Sequence, residues 1–185
     1  MNSADLPNPT NRPRIGSLCT GFGGLDLAVE LVLGGQLAWY AETDPHAATV
    51  LSARWPGVPN LGDIRAVDWS AVPPVDVLTA GFPCQDISNA GKRAGIHGVH
   101  SSLWTAVADA VRALQPPYVF VENVAALLRR GLDVVHADLA ALGYHTSWLC
   151  LRASDIGAAH RRDRLFLLAV RADPAGHDVA DTVRA

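Results

Sequence analysis

Short apolar runs alternate along the chain with stretches in which apolar residues recur every three or four positions. "RIGSLC" (14–19) predicts a buried strand. Gly23 and Gly24 then lead into "LDLAVELVL" (25–33), whose spacing predicts a helix. "QLAWYAE" (36–42) predicts a second strand and "PHAATVLSARW" (45–55) a second helix. A possible third strand ends near Asp63 in "LGDIR". "DVLTA" (76–80) predicts another strand, which runs into "GFPCQ" (81–85). Helix "SLWTAVADAVRAL" (102–114) precedes strand "YVFVEN" (118–123). A helix near 132–142 leads to strand "YHTSWLCLR" (144–152), and "RLFLLAV" (164–170) closes the set. Strands alternating with helices of this length predict an α/β fold, a Rossmann-like and mostly parallel sheet with helices on both faces. The last two strands are joined by a polar stretch with no helical pattern, so an antiparallel pairing is open to them.

Composition adds limits. The chain has 185 residues, 49% hydrophobic and 18% charged, as a globular domain does. The structured part is expected at 14–171, with flexible tails at 1–13 and 172–185, both polar and rich in loop residues. No apolar run reaches the ~18 residues of a membrane span. Three widely spaced cysteines, Cys19, Cys84 and Cys150, suggest neither a disulfide framework nor a zinc site, so no metal is expected. With no evident signal peptide, a reducing cytoplasm is the expected compartment. The net charge of −3 gives no support to strong unaided binding of nucleic acid.

Four segments carry candidate chemistry. In "LCTGFGGLDLAVE" a strand gives way to glycines and then a helix. Such a turn lets backbone approach a ligand and offers free N–H groups to an anion, but it equally serves as a tight strand-to-helix connection. It is neither a full G-x-G-x-x-G nor a P-loop. Glu42 ends the second predicted strand, where an acid can grip a ribose diol. Glu42 and Asp63 taken singly are equally loop or capping acids. Cys84 follows a strand and a proline and precedes the polar, glycine-rich "QDISNAGKRAGIHGVH". A thiolate on such a loop can attack carbon once its pKa is lowered. Cys19 and Cys150 lie in apolar strands and are expected to be packing. Glu122 ends a buried strand, where a carboxylate is costly without a partner. Arg162 and Arg164 precede the last strand, and their plainer role is a surface salt bridge.

Together, Gly-Phe-Pro-Cys-Gln, Glu-Asn-Val and Arg-x-Arg, in this order after a Phe-Gly-Gly turn, resemble the cytosine carbon-5 DNA methyltransferases over about residues 14–171. The resemblance implies S-adenosylmethionine as cofactor and double-stranded DNA as substrate. It implies that Phe22, Gly23 and Gly24 bind the methionine end, Glu42 the ribose, and Asp63 with Ile64 the adenine. Pro83 would hold the cofactor edge of the loop, Cys84 would be the nucleophile, and Glu122, Arg162 and Arg164 would contact the base and the loop. The flipped-out base would be enclosed by the loop after Cys84, hinged at Gly91, Gly95 and Gly98.

The chain departs from the family pattern in three places. His160 stands where glutamine is usual, and Cys19-Thr20-Gly21 where Phe-Ala/Ser-Gly is usual. About 15 residues follow the last strand, where the family continues into a target-recognition region and a final segment. Three accounts fit: the catalytic half of a split enzyme whose partner chain supplies recognition, a truncated remnant that binds cofactor and does no chemistry, or a minimal enzyme with relaxed specificity, which the mild acidity argues against. A nicotinamide oxidoreductase would not explain the paired motifs. RNA remains open as a substrate, although the Gly-Phe-Pro-Cys-Gln form is closer to the DNA enzymes.

Overall fold

The computed structural model describes residues 12–83 and 102–172. Six strands form one sheet: β1 (Arg14–Leu18), β2 (Gln36–Ala41), β3 (Val77–Ala80), β4 (Tyr118–Val124), β5 (Tyr144–Arg152) and β6 (Asp163–Arg171). Their spatial order is β2-β1-β3-β4-β6-β5. Strands β1 to β4 pair parallel, and β6 runs antiparallel to both its neighbours. The antiparallel option left open for the last two strands is thus the one adopted, and the mostly parallel α/β fold is as expected.

Helices α1 (Gly24–Leu33), α2 (Pro45–Arg54), α3 (Ser102–Leu114), α4 (Leu127–Arg130) and α5 (Leu132–Ala141) connect the strands. Helix α2 starts where its sequence says it should. Asp44 accepts the backbone N–H of His46 and Ala47 at 2.8 and 2.9 Å, and Pro45 takes the first helical position. Helix α1 starts on Gly23 in the left-handed region (φ 76°), where an added Cβ would stand 2.6 Å from the Trp55 ring.

The two faces of the sheet are covered unequally. On one face, Val29 of α1 and Leu51 of α2 pack on Ile15, Leu37, Tyr40 and Val77. On the other, Val107 and Val111 of α3 and Val135 and Leu139 of α5 pack on Leu78, Val119, Val121, Leu165 and Leu167. The first face is covered only over β2, β1 and β3. Over β4 and β6 it stays half-buried, at Phe120, Phe166, Leu168 and Val170, and on β5 Leu149 and Leu151 are exposed.

Three expectations need correction. No strand ends at Asp63 among the described residues; Asn60 makes only an isolated bridge to Tyr40. Pro59 and Gly62 flank that bridge, and the Asn60 amide bonds Glu42 instead of extending a ladder. Cys19 lies just past β1 in a left-handed conformation rather than inside the strand, and Cys150 is exposed on β5 rather than packed. The short α4 was not foreseen. Cys84, the glycines at 91, 95 and 98, and almost all of both expected tails lie outside the described residues.

Candidate active site at the carboxyl edge of the sheet

From β1 the chain passes to β2 on one side and, later, to β3 on the other, so the order of strands reverses at the β1/β3 boundary. Open parallel sheets bind ligands in the crevice outside such a boundary. Two cavities open there, and they share the wall of Cys19, Gly21 and Gly81.

The smaller cavity, about 310 Å³, is lined by Glu42, Asp63, Ile64 and Pro83 among others. They come from three segments: Glu42 from just after β2, Asp63 and Ile64 from the following loop, and Pro83 from after β3. Glu42 is fixed from all sides. Its Oε2 accepts the Gly21 N–H at 2.7 Å and its Oε1 the Asp44 N–H at 2.7 Å. Its own N–H donates to Asn60 Oδ1 at 3.0 Å, and its carbonyl accepts from Asn60 Nδ2 at 3.0 Å. Asp63 accepts from Arg65 through both side-chain and backbone bonds, which hold its carboxyl below the usual range. Ile64 is buried and lends an apolar wall.

The larger cleft, about 600 Å³, is lined by Phe22, Gly24, Glu122, Arg162 and Arg164, together with Asp26 and Thr79. Phe22 is 65% exposed, an aromatic ring held in solvent at the mouth of a cleft. Gly23 does not line it but turns the chain beneath it. Strand pairing sets Arg164 opposite Val124, and Arg164 Nε meets Glu122 Oε1 at 2.7 Å. Both side chains are mostly buried, so a carboxylate at the strand end has the partner its position demands. Arg162 has φ 41° and Cys19 φ 51°; non-glycine residues held there cost on the order of 1–3 kcal/mol each and concentrate at functional sites.

Some contributors were not singled out in the sequence. Asn123, buried in β4, donates from Nδ2 to the Phe82 carbonyl at 3.0 Å. The Phe82 ring packs on Trp104 at 5.5 Å, and Trp104 is tied to Asp138. Phe82, which leads into Pro83, is thereby anchored at backbone and side chain. Asp26 sits on the buried side of α1 and accepts from the Thr79 hydroxyl. Burial pushes its carboxyl up, against the hydrogen bonds from Thr79 and Ser17, which pull it down. One signal for it was legible: Asp26 occupies the helical spacing of Val29, where an apolar residue belongs. Cys19 is likewise pushed up, to about 12, first by burial and then by the charges of Glu42 and Asp63. Its thiol stays protonated and is a poor nucleophile.

Among the described residues no group of three or more His, Cys, Asp or Glu could hold a metal ion. No helix among them is long and apolar enough to cross a membrane.

Known proteins resemble this chain in sequence and in fold. The family model described as C-5 cytosine-specific DNA methylase matches residues 13–181. The type II methyltransferase M2.BsuMI of Bacillus subtilis (strain 168) is 34% identical over 164 residues, 84% of this chain and 41% of the relative. The type II methyltransferase M.MspI of Moraxella sp is 33% identical over 157 residues, 82% and 37% of the two chains. The crystal structure of the Dnmt2 methyltransferase of S. pombe has the same fold, with a TM-score of 0.73 at 19% identity over 94% of this chain and 55% of that one. The chain spans 33 to 48% of the length of the curated relatives it matches. A match over nearly the whole sequence, on a sheet with this strand order, means that the chain belongs to the C-5 cytosine-specific DNA methylase family.

Proposed function

We propose that this chain is the catalytic domain of a DNA cytosine carbon-5 methyltransferase. It moves a methyl group from S-adenosylmethionine to carbon 5 of a flipped-out cytosine through a covalent adduct on Cys84. The support is one juxtaposition at the sheet edge. The Glu122–Arg164 pair and the Phe22 turn open on one cleft. Glu42, Asp63, Ile64 and Pro83 open on a second, which shares its wall.

The residues present suit the cofactor. A carboxylate offers about four lone-pair sites, and backbone N–H groups occupy one on each Glu42 oxygen. The rest are left for ribose hydroxyls. Ile64 and Leu103 bound the same cavity with apolar surface fit for a flat ring. Phe22 and Gly24, at the start of α1, border the larger cleft, where the methionine end would lie. When bound, S-adenosylmethionine supplies an electrophilic methyl carbon on a sulfonium sulfur.

Carbon 5 of cytosine is a weak nucleophile within an aromatic ring. The Cys84 thiolate adds to carbon 6, and the ring electrons shift toward carbon 5 and N3. Glu122 holds the proton at N3 and so disperses that charge, with Arg164 fixing the carboxylate. Arg162 flanks the base in the same cleft. Carbon 5 takes the methyl group, a base removes its proton, and the carbon 6–sulfur bond breaks to restore the ring. Cys19 does not compete with Cys84, since its thiol stays protonated.

A second reading is favoured by exposed apolar surface. Leu31, Val32 and Ile156 are 86, 78 and 82% exposed, and Leu149 and Leu151 are open on β5. Of these, Leu151 and Ile156 border the larger cleft together, and exposed apolar side chains in such numbers suit a partner polypeptide, here one carrying the target-recognition region.

Transfer of labelled methyl from S-adenosylmethionine to unmethylated, cytosine-rich DNA tests both. Transfer by the wild-type chain that falls to background in Cys84→Ala is the expected result. No transfer, with cofactor binding intact by calorimetry, removes the self-sufficient enzyme. Restoration by a second chain then selects the split enzyme, and no restoration selects a silent cofactor-binding fragment.

A further inference from the structure

We propose that the cavity between α4 and the end of β5 is a phosphate groove for the duplex DNA beside the target base. This rests on the functional reading above. The cavity, about 620 Å³, is lined by three arginines, Arg129, Arg130 and Arg152, against two carboxylates, Asp155 and Asp163, with Cys150 and apolar residues between them. It lies at the same carboxyl edge as the reaction cleft, and Arg152 lines both. The two therefore adjoin at that residue. In B-DNA each strand carries one phosphate per roughly 3.4 Å of axis, so a base in the cleft brings neighbouring phosphates to the second cavity.

Charge distribution supports this. The chain carries a net −3, yet six of its 15 lysines and arginines (Arg129, Arg130, Arg152, Arg161, Arg162 and Arg164) gather where β4 and β5 end and β6 begins. Such a concentration steers a polyanion to one edge of an otherwise acidic protein. Arg152 is engaged by Asp163 at 3.0 Å. The Arg129 guanidinium is exposed and makes no ion pair or hydrogen bond among the described residues. Stabilising the C-terminus of α4 does not account for it, because four residues sum to little macrodipole. A planar cation facing a cavity beside a base-binding cleft fits a phosphodiester oxygen pair.

The test is binding of the full chain to a fluorescein-labelled DNA duplex of about 20 base pairs, followed by anisotropy across a salt series. Arg129→Glu is expected to weaken binding on the order of tenfold at low salt and to reduce the slope of log K against log salt by about 1. Arg129→Lys is expected to keep most of the affinity. Arg54→Glu makes the same change in net charge on α2 and is expected to leave the slope unchanged. The proposal is overturned if Arg129→Glu leaves the slope unchanged, if Arg54→Glu reduces it equally, or if the wild-type chain does not bind the duplex. Preference for an RNA hairpin over the duplex with the same Arg129 dependence also overturns it. Methyl transfer and cofactor binding are measured separately. Absent transfer with the Arg129 effect intact removes the self-sufficient enzyme and leaves the groove standing.

Discussion

The two halves of the sheet are built to different standards of completeness. The half formed by β2, β1 and β3 is covered on both faces, and its site residues are already satisfied: Glu42 by Gly21 and Asp44, Asp63 by Arg65, Asp26 by Thr79. The half formed by β4, β6 and β5 has helices on one face only, and its other face leaves Leu149 and Leu151 open. The assigned cofactor residues come from the closed half, and the assigned base-contacting residues Glu122, Arg162 and Arg164 from the open one. On the function proposed above, the closed half is the one that would hold the cofactor and the open half the one that would meet DNA or a partner chain, so the incomplete covering falls where a large partner would bind.

Strand β6 allows the sharpest break of this comparison. Leu167 points into the covered face and is fully buried, while its neighbour Leu168 points to the open face and is half-buried. Leu167→Ala is expected to cost roughly 2–5 kcal/mol, and Leu168→Ala about half as much or less. Urea unfolding of the two variants at constant m decides it. Equal losses would mean that the open face is closed in solution. If a partner chain covers this face, its addition should raise the cost at Leu168 and leave that at Leu167 unchanged.

Asn123 ties the halves together, since it sits on β4 and holds the carbonyl of Phe82, just past β3. Asn123→Ala removes the donor and strands a buried carbonyl, at a cost of about 1–3 kcal/mol. Because Phe82 leads into Pro83, on the wall of the cavity proposed to take the cofactor, the variant is also expected to weaken S-adenosylmethionine binding in calorimetry. A full loss of stability with unchanged cofactor affinity would show that the two halves are coupled through packing, not through this bond.

Much of this was legible in the sequence, and the exceptions have physical reasons. The strands were legible because parallel strands buried on both faces are continuous apolar runs. That same feature hid the open face. "RLFLLAV" is apolar at every position after Arg164, so nothing in it separates the covered Leu165, Leu167 and Ala169 from the half-buried Phe166, Leu168 and Val170. Helix α4 spans one turn, too short for periodicity to register. The expected strand at Asp63 failed because Asn60 bonds the Glu42 backbone, a contact across 18 residues that no local pattern carries. Glu42, Glu122 and the arginines were visible as charges placed at strand ends. That Arg164 meets Glu122 depended on the β4–β6 register, which the sequence leaves open.

The smallest expected effect lies inside the closed half and sharpens what "satisfied" means there. Asp26 has its hydrogen bonds, yet burial still raises its carboxyl above the ordinary 3.8. The native chain therefore holds a proton at pH values where the unfolded chain has released it. Native-state proton binding exceeds unfolded-state binding in that window, so this group's contribution to stability is fully present below about pH 4 and is lost as pH rises through the raised native value. Asp26→Asn keeps an oxygen acceptor for the Thr79 hydroxyl and cannot ionise. It is expected to raise Tm by a few degrees at pH 8, where a shift of about 2–4 °C corresponds to 1 kcal/mol in a chain this size. At pH 4 the gain should be much smaller, since the native carboxyl is then protonated and the unfolded one is close to its own midpoint. Thermal melts at the two pH values decide it. An equal gain at both would place the benefit in packing, and a loss at both would mean that the carboxyl makes a bond to the Thr79 and Ser17 hydroxyls that an amide cannot replace. Hydrogen-bond satisfaction alone does not remove the cost of taking a charge out of water, even in the part of the fold that is otherwise complete.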